Sequence, residues 1–287
     1  MTLALITGAS TGIGEATALR LARGGWTVLA GVRGEQAAST LSESARGVTS
    51  GRVIPLILDV TSEEQIAQAA ERVRSESGAA GDGAGSLDAL VNNAGVGFGG
   101  PIELVTLDEW RKQFEVNLVG AVAVTQALLP ALRGARGRIV FTSSIGGRVS
   151  TPFIAPYSAS KHAIEAVGDA LRVELASSNV RVALVEPGSV ATPIWDKSRA
   201  EAQRVQIPER LSEFYGKVPA AMSRAIEDTA RRGIPPDDVA KVIERALTER
   251  RMKARYLVGR DARVQLVMRR LLPDLAFDRI IRRYLGV

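Results

Sequence analysis

Short apolar runs alternate with longer amphipathic stretches over the first two thirds of the chain. The runs are Leu3–Ile6, Thr27–Val32, Val53–Leu58, Leu87–Val91, Arg138–Thr142 and Val180–Val185. Runs of this length, mostly apolar at every position rather than alternating, fit strands buried on both faces. The intervening segments, among them Glu15–Arg23, Glu63–Arg74 and Ile164–Leu175, carry apolar residues at helical spacing. Strand, helix and strand in repetition predict an α/β fold, a doubly wound parallel sheet with helices on both faces.

Two segments break the rhythm. Residues 78–86, GAAGDGAGS, read as a surface connection without chemistry. Residues 192–232 read as a mostly helical insertion after the sixth strand, at the carboxyl edge where ligands bind such sheets, and are the expected substrate lid. A helix is expected from Pro235 to about Arg250, then a short strand, Ala254–Val258. Two basic amphipathic helices meeting at Pro273 complete a C-terminal helical extension, 259–287. No boundary splits the chain, so residues 1–287 are expected to form one domain.

Composition narrows the chemistry. The 287 residues are 46% hydrophobic and 24% charged, with no cysteine and one histidine, His162. That excludes a disulfide framework, a thiolate nucleophile and a histidine-built metal centre, so no metal is expected. No signal segment is visible, and the longest apolar stretch, Leu118–Leu132, is interrupted by Thr125, Gln126 and Pro130, short of a spanning helix. A cytoplasmic protein is expected. The net charge of +6 is local: from Arg250 onward eleven Lys or Arg face three Asp, leaving −2 for the remainder. The basic tail is expected mainly to be solvated or to pack on the domain or a second subunit. No nucleic-acid partner is expected, and weak contact of the C-terminal helices with an anionic membrane surface is a further possibility.

Directly after the first strand comes Thr7-Gly8-Ala9-Ser10-Thr11-Gly12-Ile13-Gly14, then a helix. Glycines at this spacing permit a tight turn, close backbone approach to a pyrophosphate and close helix packing, while the helix N-terminus favours negative charge. Gly8, Ser10, Thr11, Gly12, Ile13 and Gly14 are therefore candidate dinucleotide ligands. At the end of the second strand, where a carboxylate would bond a free ribose 2′-hydroxyl, stand Val32 and Arg33. A guanidinium there suits a 2′-phosphate, so NADP(H) is expected over NAD(H).

Tyr157 and Lys161 lie four residues apart on an expected helix and so share a face. A nearby ammonium is expected to lower the phenol's pKa and let it exchange a proton with a carbonyl oxygen near neutral pH. Ser143 and Ser144 end the fifth strand, and because side chains alternate there only one can polarise that oxygen.

The segments TGASTGIG, Asp59 in LDV, Asn92-Asn93-Ala94-Gly95, Asn117, Ser144, YSASK and Pro187-Gly188 together resemble the short-chain dehydrogenase/reductases over residues 2–192. The resemblance implies a Rossmann fold and selects Ser144 over Ser143. It implies a catalytic set of Asn117, Ser144, Tyr157 and Lys161, in which Asn117 helps hold a water in a proton relay through Lys161. Lys161 and Tyr157 would also meet the nicotinamide ribose. Asp59 and Val60 would contact adenine, Asn93, Ala94 and Gly95 would line the adenine ribose side, and Pro187, Gly188, Val190 and Thr192 would hold the nicotinamide end. The look of SSIGGRVSTPFIAPYSASKHAIEA and of the long C-terminal tail is similar to hydroxysteroid and retinol dehydrogenases. Thr11 departs from members with an extra basic residue there, which leaves phosphate recognition mainly to Arg33. The resemblance also implies a homodimer or homotetramer through the helices around 110–130 and 156–175.

The expected function is hydride transfer between NADPH and a carbonyl or secondary alcohol, with Tyr157 as general acid or base. Val149, Phe153 and Trp195, with apolar lid residues, suggest a bulky apolar substrate, steroid-like or retinoid-like, and fit the lid's own packing face equally well. The rival is a catalytically silent, NADP-binding redox sensor, against which the intact set of four stands.

Overall fold

The computed structural model describes residues 2–78, 83, 85–192 and 207–286. Seven strands form one parallel sheet in the order β3-β2-β1-β4-β5-β6-β7. They are β1 Leu3–Ile6, β2 Thr27–Val32, β3 Arg52–Ile57, β4 Ala89–Asn92, β5 Arg138–Thr142, β6 Arg181–Pro187 and β7 Arg255–Val258. Every residue of β1, β2 and β4 is buried, as strands covered on both faces require.

Side-chain alternation divides the core in two. Leu3 and Leu5 of β1 point into one cluster with Leu29, Leu90, Phe141 and Leu184. That face is covered by α3 Glu63–Glu76, α5 Gly120–Ala135 and α6 Ala155–Glu174. Ala4 and Ile6 point to the other cluster with Val28, Val91, Val140 and Val185. There the cover is α1 Gly12–Arg23, α2 Glu35–Ser44 and, from the C-terminal part, α8 Pro236–Thr248. Phe141 is fully buried, and its truncation to alanine would cost about 3–5 kcal/mol. Arg20 of α1 forks onto Asp237 of α8 at 2.9 and 2.7 Å, fastening the late helix to the first.

The helix α4 Leu107–Phe114 begins with a capping box between Thr106 and Glu109 and runs into α5 through a π turn, Glu115–Val119. By length and composition alone Leu107–Ala135 could cross a membrane, and Pro130 lies within it without ending it. Its Val124, Leu128 and Leu132 are instead buried against the sheet. After β6 the described part of the 192–232 segment holds a helical turn, Ser212–Tyr215, and α7 Val218–Arg232. The helices α9 Arg260–Leu271 and α10 Asp274–Leu285 flank Pro273, as the sequence predicts. Of the 78–86 connection, Gly78, Gly83, Gly85 and Ser86 lie within the described residues.

The strand order runs outward in opposite directions from β1 and β4. The carboxyl ends of these two strands therefore flank the switch point, where the chain departs to opposite sides and opens a crevice.

Candidate active site

At that switch point the turns after β1 and β4 are fastened together. Thr7 Oγ1 accepts hydrogen bonds from the backbone N–H groups of Asn93 and Ala94, both at 3.0 Å. Asn93 Nδ2 donates back to the carbonyls of Gly8 at 3.0 Å and Thr7 at 3.2 Å. Gly8 and Gly12 hold φ of 64° and 60°, the left-handed region that glycine occupies without penalty. A Cβ on Gly8 would lie 2.7 Å from Ala94 Cα, and one on Gly14 would strike the Gly8 carbonyl. No side chain caps α1 at Thr11, so its first N–H groups are available to an external acceptor. Gly8, Ser10, Thr11, Gly12 and Ile13 all keep some exposure. A bare turn without Cβ atoms, leading to an uncapped helix start, fits a pyrophosphate.

Arg33 follows β2 directly and is exposed. Among the described residues it makes no ion pair with Glu35. Its charge acts instead on Asp59, just beyond β3. Burial opposes ionisation of Asp59, yet two bonds from Thr61 to Oδ1, 3.0 Å from N and 2.7 Å from Oγ1, together with Arg33 hold its carboxyl below the usual range. Val60 packs under Gly120, where a Cβ would lie 2.7 Å from the Val60 carbonyl.

Beyond β5 the two serines part. Ser144 is extended, and its Oγ accepts from Gly146 N at 3.0 Å, capping the turn Ile145–Gly147. Its hydroxyl also lies by the Tyr157 phenol and draws that phenol's pKa down. Gly146 makes room for the pair: a Cβ there would stand 3.2 Å from Tyr157 Cε1 and 3.4 Å from Ser144 Oγ. Ser143 lies on the other side, buried beside Gly147 and Glu165. Lys161, one turn after Tyr157 on α6, is buried; its Nζ donates to the Thr142 carbonyl at 2.8 Å and lies 5.7 Å from the Tyr157 ring centroid. Burial lowers Lys161 to about 8, with Glu165 pulling the other way. The tyrosine departs from the expectation of a lowered phenol. Burial pushes Tyr157 up, and only the Ser144 hydroxyl pulls it down.

Asn117 sits in the π turn, a geometry that re-aims side chains within a helix. Its Oδ1 accepts from Val96 N at 2.8 Å, and its Nδ2 donates to Val96 O at 3.0 Å and Ser160 Oγ at 3.1 Å. It thus ties the loop after β4 to the helix that carries Tyr157 and Lys161. Gly95 lies against it, a Cβ there being 3.4 Å from Asn117 Oδ1. Gln113 reinforces this loop, donating to Val96 O at 2.7 Å and accepting from Phe98 N at 2.8 Å. The sequence offers no signal for Gln113 beyond its place in an amphipathic helix.

After β6, Pro187 and Gly188 lead into a clasp made by the C-terminal part. Gly188 N donates to Val258 O at 2.8 Å, and Ser189 N to Asp261 Oδ2 at 2.7 Å. Val190 bridges to Ile234, and Thr192 is partly buried two residues on. Asp261 is a site-shaping residue that sequence reasoning missed, because only the sheet brings α9 to Gly188.

The expected substrate residues separate. Phe153 is half-buried with φ of 67°, an unfavourable conformation for an aromatic residue, and packs with Tyr215, Val218 and Met222 of the 192–232 segment. Val149 is 2% exposed, in a cluster with Ile145, Ala262 and Phe277 under the C-terminal helices. Trp195, like Ile194 and Val205, lies outside the described residues.

A parallel doubly wound sheet with a glycine turn at its switch point, and a tyrosine, lysine, serine and asparagine at its carboxyl edge, defines a nicotinamide-dependent oxidoreductase class. The family described as short chain dehydrogenase matches residues 2–203, and the chain belongs to the short-chain dehydrogenase/reductase family. It is 34% identical to NADPH-dependent 3-dehydrocapnine reductase of Ornithobacterium rhinotracheale, over 98% of this chain and 96% of that one. It is 38% identical to 17-beta-hydroxysteroid dehydrogenase type 6 of Bos taurus, over 97% and 87%. Among solved structures, a short chain dehydrogenase/reductase from Burkholderia phymatum in complex with NAD superposes with a TM-score of 0.79 at 27% identity, covering 94% of this chain and 92% of that one.

Proposed function

We propose that this oxidoreductase is an NADPH-preferring reductase of a bulky apolar ketone or aldehyde, running reversibly as an alcohol dehydrogenase. The observation that carries the reading is the convergence of Ser144 and Tyr157 on Gly146, one helical turn from the buried Lys161 ammonium. When bound, the nicotinamide supplies or accepts the hydride. Ser144 holds the substrate oxygen, and Tyr157, kept protonated by burial, delivers a proton to it. Lys161 would bind the nicotinamide ribose and, through a relay that Asn117 would help to hold, return the proton to Tyr157.

Gly8, Ser10, Thr11, Gly12, Ile13 and Gly14 would carry the pyrophosphate. Asp59, Val60 and Asn93 to Gly95 would face the adenosine, and Pro187, Gly188, Val190 and Thr192 the nicotinamide. NADP preference is supported by the exposed Arg33 at the end of β2, where no carboxylate stands to repel a 2′-phosphate, and by the NADPH dependence in the name of one relative. A bulky apolar substrate is supported by the hydroxysteroid relative and by Phe153 with Tyr215 and Met222 at the 192–232 segment. Assembly as a dimer or tetramer fits exposed Leu107, Val119 and Val173 on α4 to α6. On the C-terminal helices, exposed Val264, Val267, Leu271 and Leu275 among arginines suit an anionic membrane surface or a second subunit.

Following NADPH and NADH oxidation across steroids, retinal, aliphatic ketones and acyl thioesters tests cofactor and substrate together. The reading expects NADPH turnover with a bulky ketone or aldehyde. Turnover with NADH alone would contradict the cofactor, and activity confined to small polar carbonyls would contradict the substrate class.

A further inference from the structure

Behind Lys161, away from the tyrosine, is a buried charge cluster that hydride transfer does not use. Glu165 follows Lys161 by one turn of α6 and is 5% exposed. It faces Glu186 of β6, 2% exposed, across the guanidinium of Arg255 from β7. Arg255 Nε lies 2.9 Å from Glu165 Oε2 and 3.2 Å from Glu186 Oε1, and its Nη2 lies 2.7 Å from Asp169 Oδ2. Arg148, after the Ile145–Gly147 turn, pairs with Glu186 at 2.9 Å. Glu165 Oε1 is buried without a hydrogen bond among the described residues, beside the Ser143 hydroxyl.

Two carboxylates sharing one guanidinium in a buried place are costly to keep. Burial, with Glu186 facing it, pushes Glu165 up, while Ser143 and Arg255 pull it down. Its field is felt one turn away, where burial works to strip the proton from Lys161 and Glu165 works to keep it. Arg255 is occupied by three carboxylates, so it does not cancel Glu165 alone.

We propose that Glu165 is a positioning residue for the Lys161 ammonium: its carboxylate, buried one helical turn away and held by Arg255 beside Glu186, is the counter-charge that keeps the buried ammonium in the site. The proposal rests on the reading of Lys161 as a cofactor-binding and relay group. Arg255 reaches this cluster from β7, so the C-terminal part of the chain comes, through Glu165, within one helical turn of Lys161.

The test is an NMR titration of the Lys161 ε-carbon in 13C-lysine protein, assigned by its loss in Lys161→Met. In the parent, Lys161 should titrate near 8. In Glu165→Gln, which leaves Arg255 paired with Asp169 and Glu186, the midpoint should fall by about one pH unit. Glu165→Asp, keeping a charge, should restore much of that shift. Coincident titrations in parent and Glu165→Gln overturn the proposal. Glu165→Asp also guards against a folding defect: if it folds like the parent and still titrates with Glu165→Gln, the proposal is overturned. NADPH binding, followed by its fluorescence in the same samples, separates the two readings. If the parent binds no NADPH the functional reading fails, while the Lys161 titration still decides the role of Glu165.

Discussion

Asp261, at the start of α9, accepts a 2.7 Å hydrogen bond through Oδ2 from the backbone N–H of Ser189. The bond crosses from the C-terminal extension to the loop read as the nicotinamide support. Gly188 and Gly259 are both glycine against this carboxylate: a Cβ on Gly188 would strike it, and one on Gly259 would lie 2.5 Å from Oδ1. Asp261→Ala leaves the Ser189 donor without its partner. It should lower stability by about 1–3 kcal/mol in urea unfolding and raise the cofactor KM. Asp261→Asn, which retains an acceptor oxygen, should lie close to the parent. An alanine variant with parental KM and stability would show that the clasp does not hold the loop.

Arg33 gives the cofactor prediction. If its guanidinium holds a 2′-phosphate, Arg33→Ala should reduce the ratio of kcat/KM for NADPH over NADH by roughly 10-fold or more, mainly through KM for NADPH. Steady-state kinetics with both cofactors measures this. An unchanged ratio would place the preference elsewhere.

Lys161 makes function and stability oppose each other. Its ordinary value is 10.5 and its folded value about 8. Between these limits the unfolded chain holds a proton that the folded chain has released, so this group's contribution rises with pH across that window. Below it the folded protein carries the full cost of a buried ammonium. Lys161→Met, despite losing the bond to Thr142, should be more stable than the parent at pH 7 by about 2 kcal/mol, with the gap closing as pH rises toward 10.5. Urea unfolding at pH 7 and pH 10 checks the sign. A methionine variant less stable at both would refute it.

The Tyr157–Lys161 pair and the glycine spacing after β1 were legible because local geometry fixes them, whereas the choice of Ser144 over Ser143 came only with the family resemblance. A turn without Cβ atoms and a one-turn helical pair need nothing from elsewhere in the chain. The strands were legible as buried runs, with ends differing by one or two residues, as where β6 continues to Pro187. The π turn at Asn117 was not legible, because the extra residue per turn is stabilised by bonds to Val96 and Ser160, distant in sequence. The same holds for Asp261 on Ser189 and for Arg255 between Glu165 and Glu186, contacts that exist only once β7 joins β6. Nearness to Ser144 along the chain suggests Val149 for the substrate side, but its side chain is buried under α9 and α10. The rise of the Tyr157 pKa also needed the fold, since spacing gives the distance to Lys161 along the helix but not the depth of burial.

On the proposed mechanism Tyr157 is the proton-transferring acid. Tyr157→Phe removes one oxygen and leaves the glycine turn, Arg33 and Lys161 in place. The decisive measurement is single-turnover NADPH oxidation with any ketone the parent reduces, paired with NADPH binding followed by fluorescence. That mechanism requires a fall in rate of about 10³-fold or more with NADPH affinity within a few-fold of the parent. A phenylalanine variant that binds NADPH and keeps a near-parental rate would contradict it.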